Sequence, residues 1–266
     1  MVYSPLKAAA KYINHYIQAS HGKGHGVHSP FLFELITRIM NDRTVYDDYT
    51  KVEGLRKTLL KNKTILTFQD LGAGSSKTKS NTRTIASIAK NAAKPKKYGQ
   101  LFYRMIKHYH CNTILELGTS LGITAAYLAL ANPMAKVITL EGADAVAQNA
   151  SENFKSLGIE NIELLNGNFD DTLHLALQKM PLVDFAFIDG NHRQEPTLRY
   201  FEQLLPHTHN NTLLVFDDIH WSSEMETAWY QIAEHPAVSA SIDLFFIGIL
   251  SFRKEFKERR KFLARV

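Results

Sequence analysis

From residue 101 onward, short runs rich in β-forming residues alternate with stretches of helical periodicity. That alternation dictates a parallel sheet covered by helices on both faces. Strands are predicted at 113–117, 136–141, 162–166, 183–189 and 212–217, with a last pair near 238–243 and 245–252. Between the members of that pair, Ser241-Ile242-Asp243-Leu244-Phe245 leaves too little chain for a helical crossover, so they must form an antiparallel hairpin. The expected fold class is α/β, a doubly wound, mostly parallel sheet with a C-terminal antiparallel hairpin. Open sheets of this kind hold ligands beyond the carboxyl ends of their strands, which singles out the polar residues ending each run.

The preceding part, residues 1–97, reads as a helical N-terminal extension or cap. It has helical patterns near 30–40 and 83–93, separated by loops rich in Gly, His, Asn and Lys. Near the start, Lys7 and Lys11 interrupt the Ala, Tyr and Ile residues, a pattern of an amphipathic helix and not of a secretory signal. No run approaches the roughly 18 apolar residues that span a bilayer, so a cytoplasmic protein is expected, with no membrane partner. Residues 98–252 form the core and 253–266 a basic tail. The formal charge is +5, and the tail's seven basic and two acidic residues carry all of it. Composition therefore implies no broad nucleic-acid-binding face, and the tail is expected as a solvated helix or frayed end. The single cysteine, Cys111, excludes an intrachain disulfide and a zinc site built on several thiolates.

The first core strand ends in Glu116 and runs into Gly118-Thr119-Ser120-Leu121-Gly122 before a helix beginning near Ile123. Glycines there allow a tight turn and a close backbone approach to a ligand at the helix N-terminus. One strand and one helix later, the run Val137-Ile138-Thr139-Leu140 ends in Glu141, whose carboxylate can accept both hydroxyl hydrogens of a ribose. A nucleoside-containing ligand is implied. Dinucleotide binding is the rival, but its fingerprint is G-x-G-x-x-G, whereas this loop reads G-x-x-x-G with Ser120 at the second glycine. A second glycine loop, Asp70-Leu71-Gly72-Ala73-Gly74-Ser75-Ser76, has no following strand that ends in an acid and is read as a plain loop.

Glu116-Leu117-Gly118-Thr119-Ser120-Leu121-Gly122 resembles the first motif of the class I S-adenosylmethionine-dependent methyltransferases, and Glu141 resembles their ribose-binding acid. Gly99-Gln100-Leu101 is similar to a segment of their small-molecule, catechol-type O-methyltransferases. The resemblance implies a Rossmann-like core and S-adenosylmethionine as cofactor, held by Glu116, Gly118, Thr119, Ser120, Gly122, Glu141, Gly142, Asn168 and Asp189. Ser120 departs from the usual middle glycine. Asn168 falls where the family contacts adenine and reads equally well as a helix cap.

The fourth strand ends in Asp189-Gly190-Asn191-His192 and the fifth in Asp217-Asp218-Ile219-His220-Trp221. Carboxylates gathered at neighbouring strand ends repel one another, and an oxygen-bound divalent cation such as Mg²⁺ or Ca²⁺ relieves that repulsion. The resemblance implies Asp189, Asp217 and Asp218 as metal ligands, Asp218 standing where the family usually carries asparagine. It also implies His192 as the base that takes the proton of the acceptor hydroxyl, with Asp189 beside it in the catalytic set. The bland alternative leaves Asp189 on the cofactor side, Asp217 and Asp218 capping a helix, and His192 on the surface. His21, His25 and His28 lie among glycines at spacings that fit no tight metal site and are read as a loop. Trp221 and Trp229 are read on one helix, as core and rim or as the lining of an acceptor pocket.

The reading is an S-adenosylmethionine-dependent O-methyltransferase acting on a small molecule, with room for a homo-oligomer. The alternatives are a nucleic-acid or protein methyltransferase, prompted by the basic tail, and a binding module of methyltransferase fold that lacks chemistry.

Overall fold

The computed structural model describes residues 2–19, 29–67, 82–256 and 258–265. Along them run α1 (Pro5–Gln18), α2 (Pro30–Glu34) with a π-helical continuation (Leu35–Met40), α3 (Asp47–Leu59), β1 (Ile65–Thr67), β2 (Thr82–Thr84), α4 (Ile85–Asn91) and α5 (Lys96–Tyr109). The core elements are β3 (Thr113–Leu117), α6 (Ile123–Ala131), β4 (Lys136–Glu141), α7 (Asp144–Ser156), β5 (Ile162–Asn166), α8 (Phe169–Lys179), β6 (Phe185–Ile188) and α9 (Gln194–Leu204). There follow β7 (Leu213–Asp217), α10 (Ser223–Ala233), β8 (Ala240–Asp243), β9 (Ile247–Ser251) and β10 (Arg260–Leu263). The fold is Rossmann-like, a mostly parallel eight-stranded sheet with flanking helices. The chain packs as two compact units, Arg43–Met180 and Met1–Asp42 with Pro181–Val266.

In the Arg43–Met180 unit, β3, β4 and β5 lie side by side and parallel, with Thr113 opposite Lys136 and Val137 opposite Ile162. Consecutive residues Ile114, Leu115, Val137 and Ile138 are all buried, as expected of strands covered on both faces. Helix α5 packs on α6 through Gly99, where a Cβ would sit 2.4 Å from the Tyr127 ring, so the Gly99-Gln100-Leu101 segment has a packing reason of its own. The phenols that α5 and α6 bring to α3 are satisfied: Tyr103 donates to Asp48 and Tyr127 to Glu53, both at 2.9 Å. The helical pattern near 83–93 starts two residues later than its sequence suggests, because Thr82–Thr84 pair with Ile65–Thr67 and Thr84 then caps α4. The glycine loop at 70–76 lies outside the described residues.

In the other unit the strands follow the order β10-β8-β9-β7-β6. Strands β6 and β7 are parallel, and β9 runs antiparallel to both β7 and β8, which is the expected hairpin, turned at Phe245 with φ 71°. The tail corrects its expectation. Residues Arg260–Leu263 are neither helix nor frayed end but a parallel edge strand on Ala240–Asp243. Its basic residues suit an unpaired edge, where charge discourages further pairing, and Arg259 and Lys261 both pair with Glu234. The tryptophans need a second correction: α10 begins at Ser223, capped by the Ser222 hydroxyl, so Trp221 precedes the helix that carries Trp229. Trp229 is buried over Gly248, where a Cβ would meet its ring at 2.4 Å. Among the described residues, no helix is long and apolar enough to cross a membrane.

Candidate functional site

The turn after β3 is laced to the end of β4. Gly118 and Thr119 donate their amides to the Leu140 carbonyl, at 2.9 and 3.0 Å. The Ser120 amide donates to Glu141 Oε2 at 2.8 Å, and the Ala143 amide, one residue past Gly142, donates to Oε1 at 3.0 Å. Glu141 therefore sits half-buried with one amide on each carboxylate oxygen. Glu116 is fully buried, and Oε2 accepts from the Thr139 hydroxyl at 2.6 Å. Because that hydrogen is spent on Glu116, the 2.6 Å contact between Thr119 and Thr139 must be a donation from Thr119. Asn168 caps α8, its side-chain oxygen accepting from the Asp170 amide at 3.1 Å, which is the helix-cap role open to it from sequence.

Three residues of the turn hold left-handed backbone: Gly118 (φ 102°), Ser120 (φ 48°) and Gly122 (φ 80°). At Gly122 a Cβ would also lie 2.5 Å from the Phe154 ring of α7. Gly122→Ala is expected to destabilise by about 1–3 kcal/mol from strain and overpacking together, measurable as a lower urea midpoint. A wild-type midpoint in the variant contradicts this account of the turn.

In the second unit, the ends of β6 and β7 bring Asp189, His192 and Asp217 together, one ligating atom from each lying within 4.8 Å of the others. His192 Nε2 is 3.3 Å from Asp189 Oδ1. Backbone strain concentrates here, with Asn191 at φ 64°, His192 at φ 29° and Asp218 at φ 51°, all non-glycine residues. Asp218 is not in the trio; its amide is held by the Phe246 carbonyl at 2.7 Å, and the imidazole of His192 takes the third place. Trp221 lies beside His192, ring centres 5.8 Å apart, and is part-exposed.

The turn that follows Asp217 rests on a buried polar network. His220 Nδ1 is 2.8 Å from Glu226 and Nε2 is 2.7 Å from Asp243. With both carboxylates ionised each ring nitrogen must donate, so His220 is an imidazolium. Burial opposes that charge, but the bonds and charges of Asp243 and Glu226 outweigh it and raise the His220 pKa. Burial likewise works to raise the Asp243 pKa, and the donors His15 and His220 override it and hold the carboxyl well below the ordinary range. From the chain's first helix region, Tyr3 and Lys11 donate to Glu226, while His15 lies 3.1 Å from Asp243. This network was not legible in the sequence. His220 follows the acidic pair closely, but its partners stand 6 and 23 residues further along.

The glycine loop, Glu141 and Gly142 thus converge in one unit, and Asp189, His192 and Asp217 in the other. His21, His25 and His28 lie outside the described residues. A family model described as a methyltransferase domain matches residues 115–219. No curated protein matches the chain in sequence. Among solved structures, the chain is similar to the O-methyltransferase TomG from Streptomyces achromogenes, involved in tomaymycin synthesis and in complex with SAM. That pair is 18% identical, with a TM-score of 0.52 over 61% of this chain and 82% of that one. An O-methyltransferase from Bacillus cereus in complex with SAH is also 18% identical, with a TM-score of 0.55 over 79% and 92%. The SAH-bound methyltransferase PaMTH1 from Podospora anserina is 12% identical, with a TM-score of 0.59 over 96% and 99%. These likenesses are ones of fold.

Proposed function

We propose that this chain, whose residues 115–219 match a family model described as a methyltransferase domain, transfers a methyl group from S-adenosylmethionine to an oxygen of a small molecule. The observation that carries this reading is Glu141, half-buried at the end of β4 with its carboxylate anchored on the amides of Ser120 and Ala143. A carboxylate oxygen accepts more than one hydrogen bond, so Glu141 would receive the ribose hydroxyls at this strand end. A dinucleotide site needs helix amides open to a pyrophosphate, whereas here the Ser120 amide already serves Glu141.

Asp189, Asp217 and His192 supply two carboxylates and one imidazole, a donor set that fits a divalent cation such as Mg²⁺ or Mn²⁺. When bound, such a cation lowers the pKa of an acceptor hydroxyl and favours its oxyanion. Asp189 and Asp217 would hold it. His192 would take the hydroxyl proton at Nδ1, with Nε2–H donating to Asp189 so that the carboxylate orients the ring. The acceptor oxygen forms its bond to the methyl carbon as the bond from carbon to sulfur breaks, so the protein's part is alignment and charge stabilisation. Trp221, beside His192, offers a flat apolar surface to an acceptor ring.

Isothermal calorimetry with S-adenosylhomocysteine tests the cofactor assignment. Wild type is expected to bind, and Glu141→Ala to bind at least roughly 30-fold more weakly, as two ribose hydrogen bonds to a charged group are lost. Equal affinity in the variant, or no binding by wild type, sinks the proposal.

A further inference from the structure

We propose that the bond between His220 and Asp243 positions the turn after β7, and with it Asp217 and Trp221, for the transfer reaction. The inference rests on the reading of Asp189, His192 and Asp217 as the transfer site. His220 and Asp243 are not members of that trio. Both are buried, at 9% and 6% exposure. The turn they serve is short and strained: Asp218 holds φ 51°, and the Trp221 amide donates back to the Asp218 carbonyl at 2.9 Å. A non-glycine residue stays in left-handed backbone only where its surroundings over-determine it.

Asp243 supplies that constraint by two routes. Directly, Oδ2 accepts from His220 Nε2 at 2.7 Å, one residue before Trp221. Indirectly, Oδ1 accepts the Phe245 amide at 2.8 Å, which fixes the turn between β8 and β9, and the carbonyl of the next residue, Phe246, holds the Asp218 amide at 2.7 Å. The His220 ring also stacks on Phe245, ring centres 5.1 Å apart. One carboxylate thus locks the two turns together. Asp217 immediately precedes the locked segment, and Trp221, beside His192, lies within it. Releasing the lock lets a metal ligand and the indole drift, and a misplacement of about 1 Å can cost a site roughly 100-fold.

Two amide variants of His220 separate this from a merely structural role. The side-chain nitrogen of Asn stands where imidazole Nδ1 does, so His220→Asn keeps a donor for Glu226 and loses the tie to Asp243. That of Gln stands where Nε2 does, so His220→Gln keeps the tie and loses the other bond. Both lose the same charge, and far-UV circular dichroism checks that both fold. Calorimetric titration of the full chain with Mn²⁺ is expected to show His220→Asn binding roughly tenfold or more weakly than wild type, and His220→Gln within about threefold. Trp229 is buried, so acrylamide quenching of fluorescence reports Trp221, and it is expected to rise in His220→Asn alone. Equal quenching of the two variants overturns the proposal. So does equal Mn²⁺ affinity in the variants of a wild type that binds the ion. A wild type that binds no Mn²⁺, with the quenching still split, sinks the reading of the trio as a metal site and leaves the positioning standing. If His220→Asn does not fold, hydrogen exchange in wild type carries the test: the Asp218 and Phe245 amides are expected to exchange within about threefold of each other, and rates more than about tenfold apart overturn it.

Discussion

Asp217→Asn is expected to lower methyl transfer by roughly 10²–10³-fold while leaving S-adenosylhomocysteine affinity within about threefold of wild type. Asp217 is 1% exposed and meets Asp189 and His192 at the ends of β6 and β7, whereas the glycine turn and Glu141 belong to the other unit. On the proposed mechanism, losing one of the two carboxylates would weaken cation binding, so the acceptor hydroxyl would stay protonated and attack would slow. Chelator treatment of wild type is expected to reproduce the loss, and added Mg²⁺ or Mn²⁺ to restore wild type but not the variant. Asp218→Asn provides the contrast: because Asp218 is outside the trio, its activity should stay within about threefold of wild type. If the Asp218 variant falls as far as the Asp217 variant, the metal set is the one read from sequence, with Asp218 joining Asp189 and Asp217. If neither falls, the reaction proceeds without a cation at this site.

The second large effect is on stability. His220→Ala removes a buried imidazolium from between Asp243 and Glu226, and leaves Asp243 to His15 and Glu226 to Lys11 and Tyr3. Breaking a buried ion pair by deleting one partner costs about 3–5 kcal/mol, so the urea midpoint should drop by roughly a fifth of its value or more in a domain of ordinary stability. The pH dependence follows from the directions of the shifts. His220 has its pKa raised on folding, so its contribution is full below the ordinary imidazole value of about 6.5 and is lost as pH rises through the folded value. Asp243 and Glu226 have theirs lowered, so their contribution is present above the ordinary carboxylate value of about 4 and is lost as pH falls. The network is most stabilising between these limits. His220→Gln, which fills the volume without a charge, should flatten the alkaline limb of the stability profile. A wild-type slope in that variant would show that His220 does not carry the proton.

The sequence by itself determined the sheet's strands and the loops that end them. The runs at 113–117, 136–141 and 162–166 coincide with β3, β4 and β5, and in β3 and β4 the reason is that strands buried on both faces carry their signal in consecutive apolar residues. The turn beginning at Gly118 and the acid at 141 were legible for a similar reason. Left-handed backbone demands particular residues locally, and a carboxylate ending an apolar run stands out without knowledge of any partner. Only the tertiary structure decided which side chains meet. Asp217 and Asp218 are neighbours in the chain, but the left-handed turn at Asp218 ends the strand between them, and His192 from the loop after β6 completes the trio. The basic tail became a strand because the edge of β8 offered unpaired backbone groups, a condition set by a segment twenty residues earlier. Helix α1 was recognisable as amphipathic, but which face it buries was settled by Glu226 and Asp243. Periodicity records what a segment can bury, whereas docking depends on groups supplied from elsewhere in the chain.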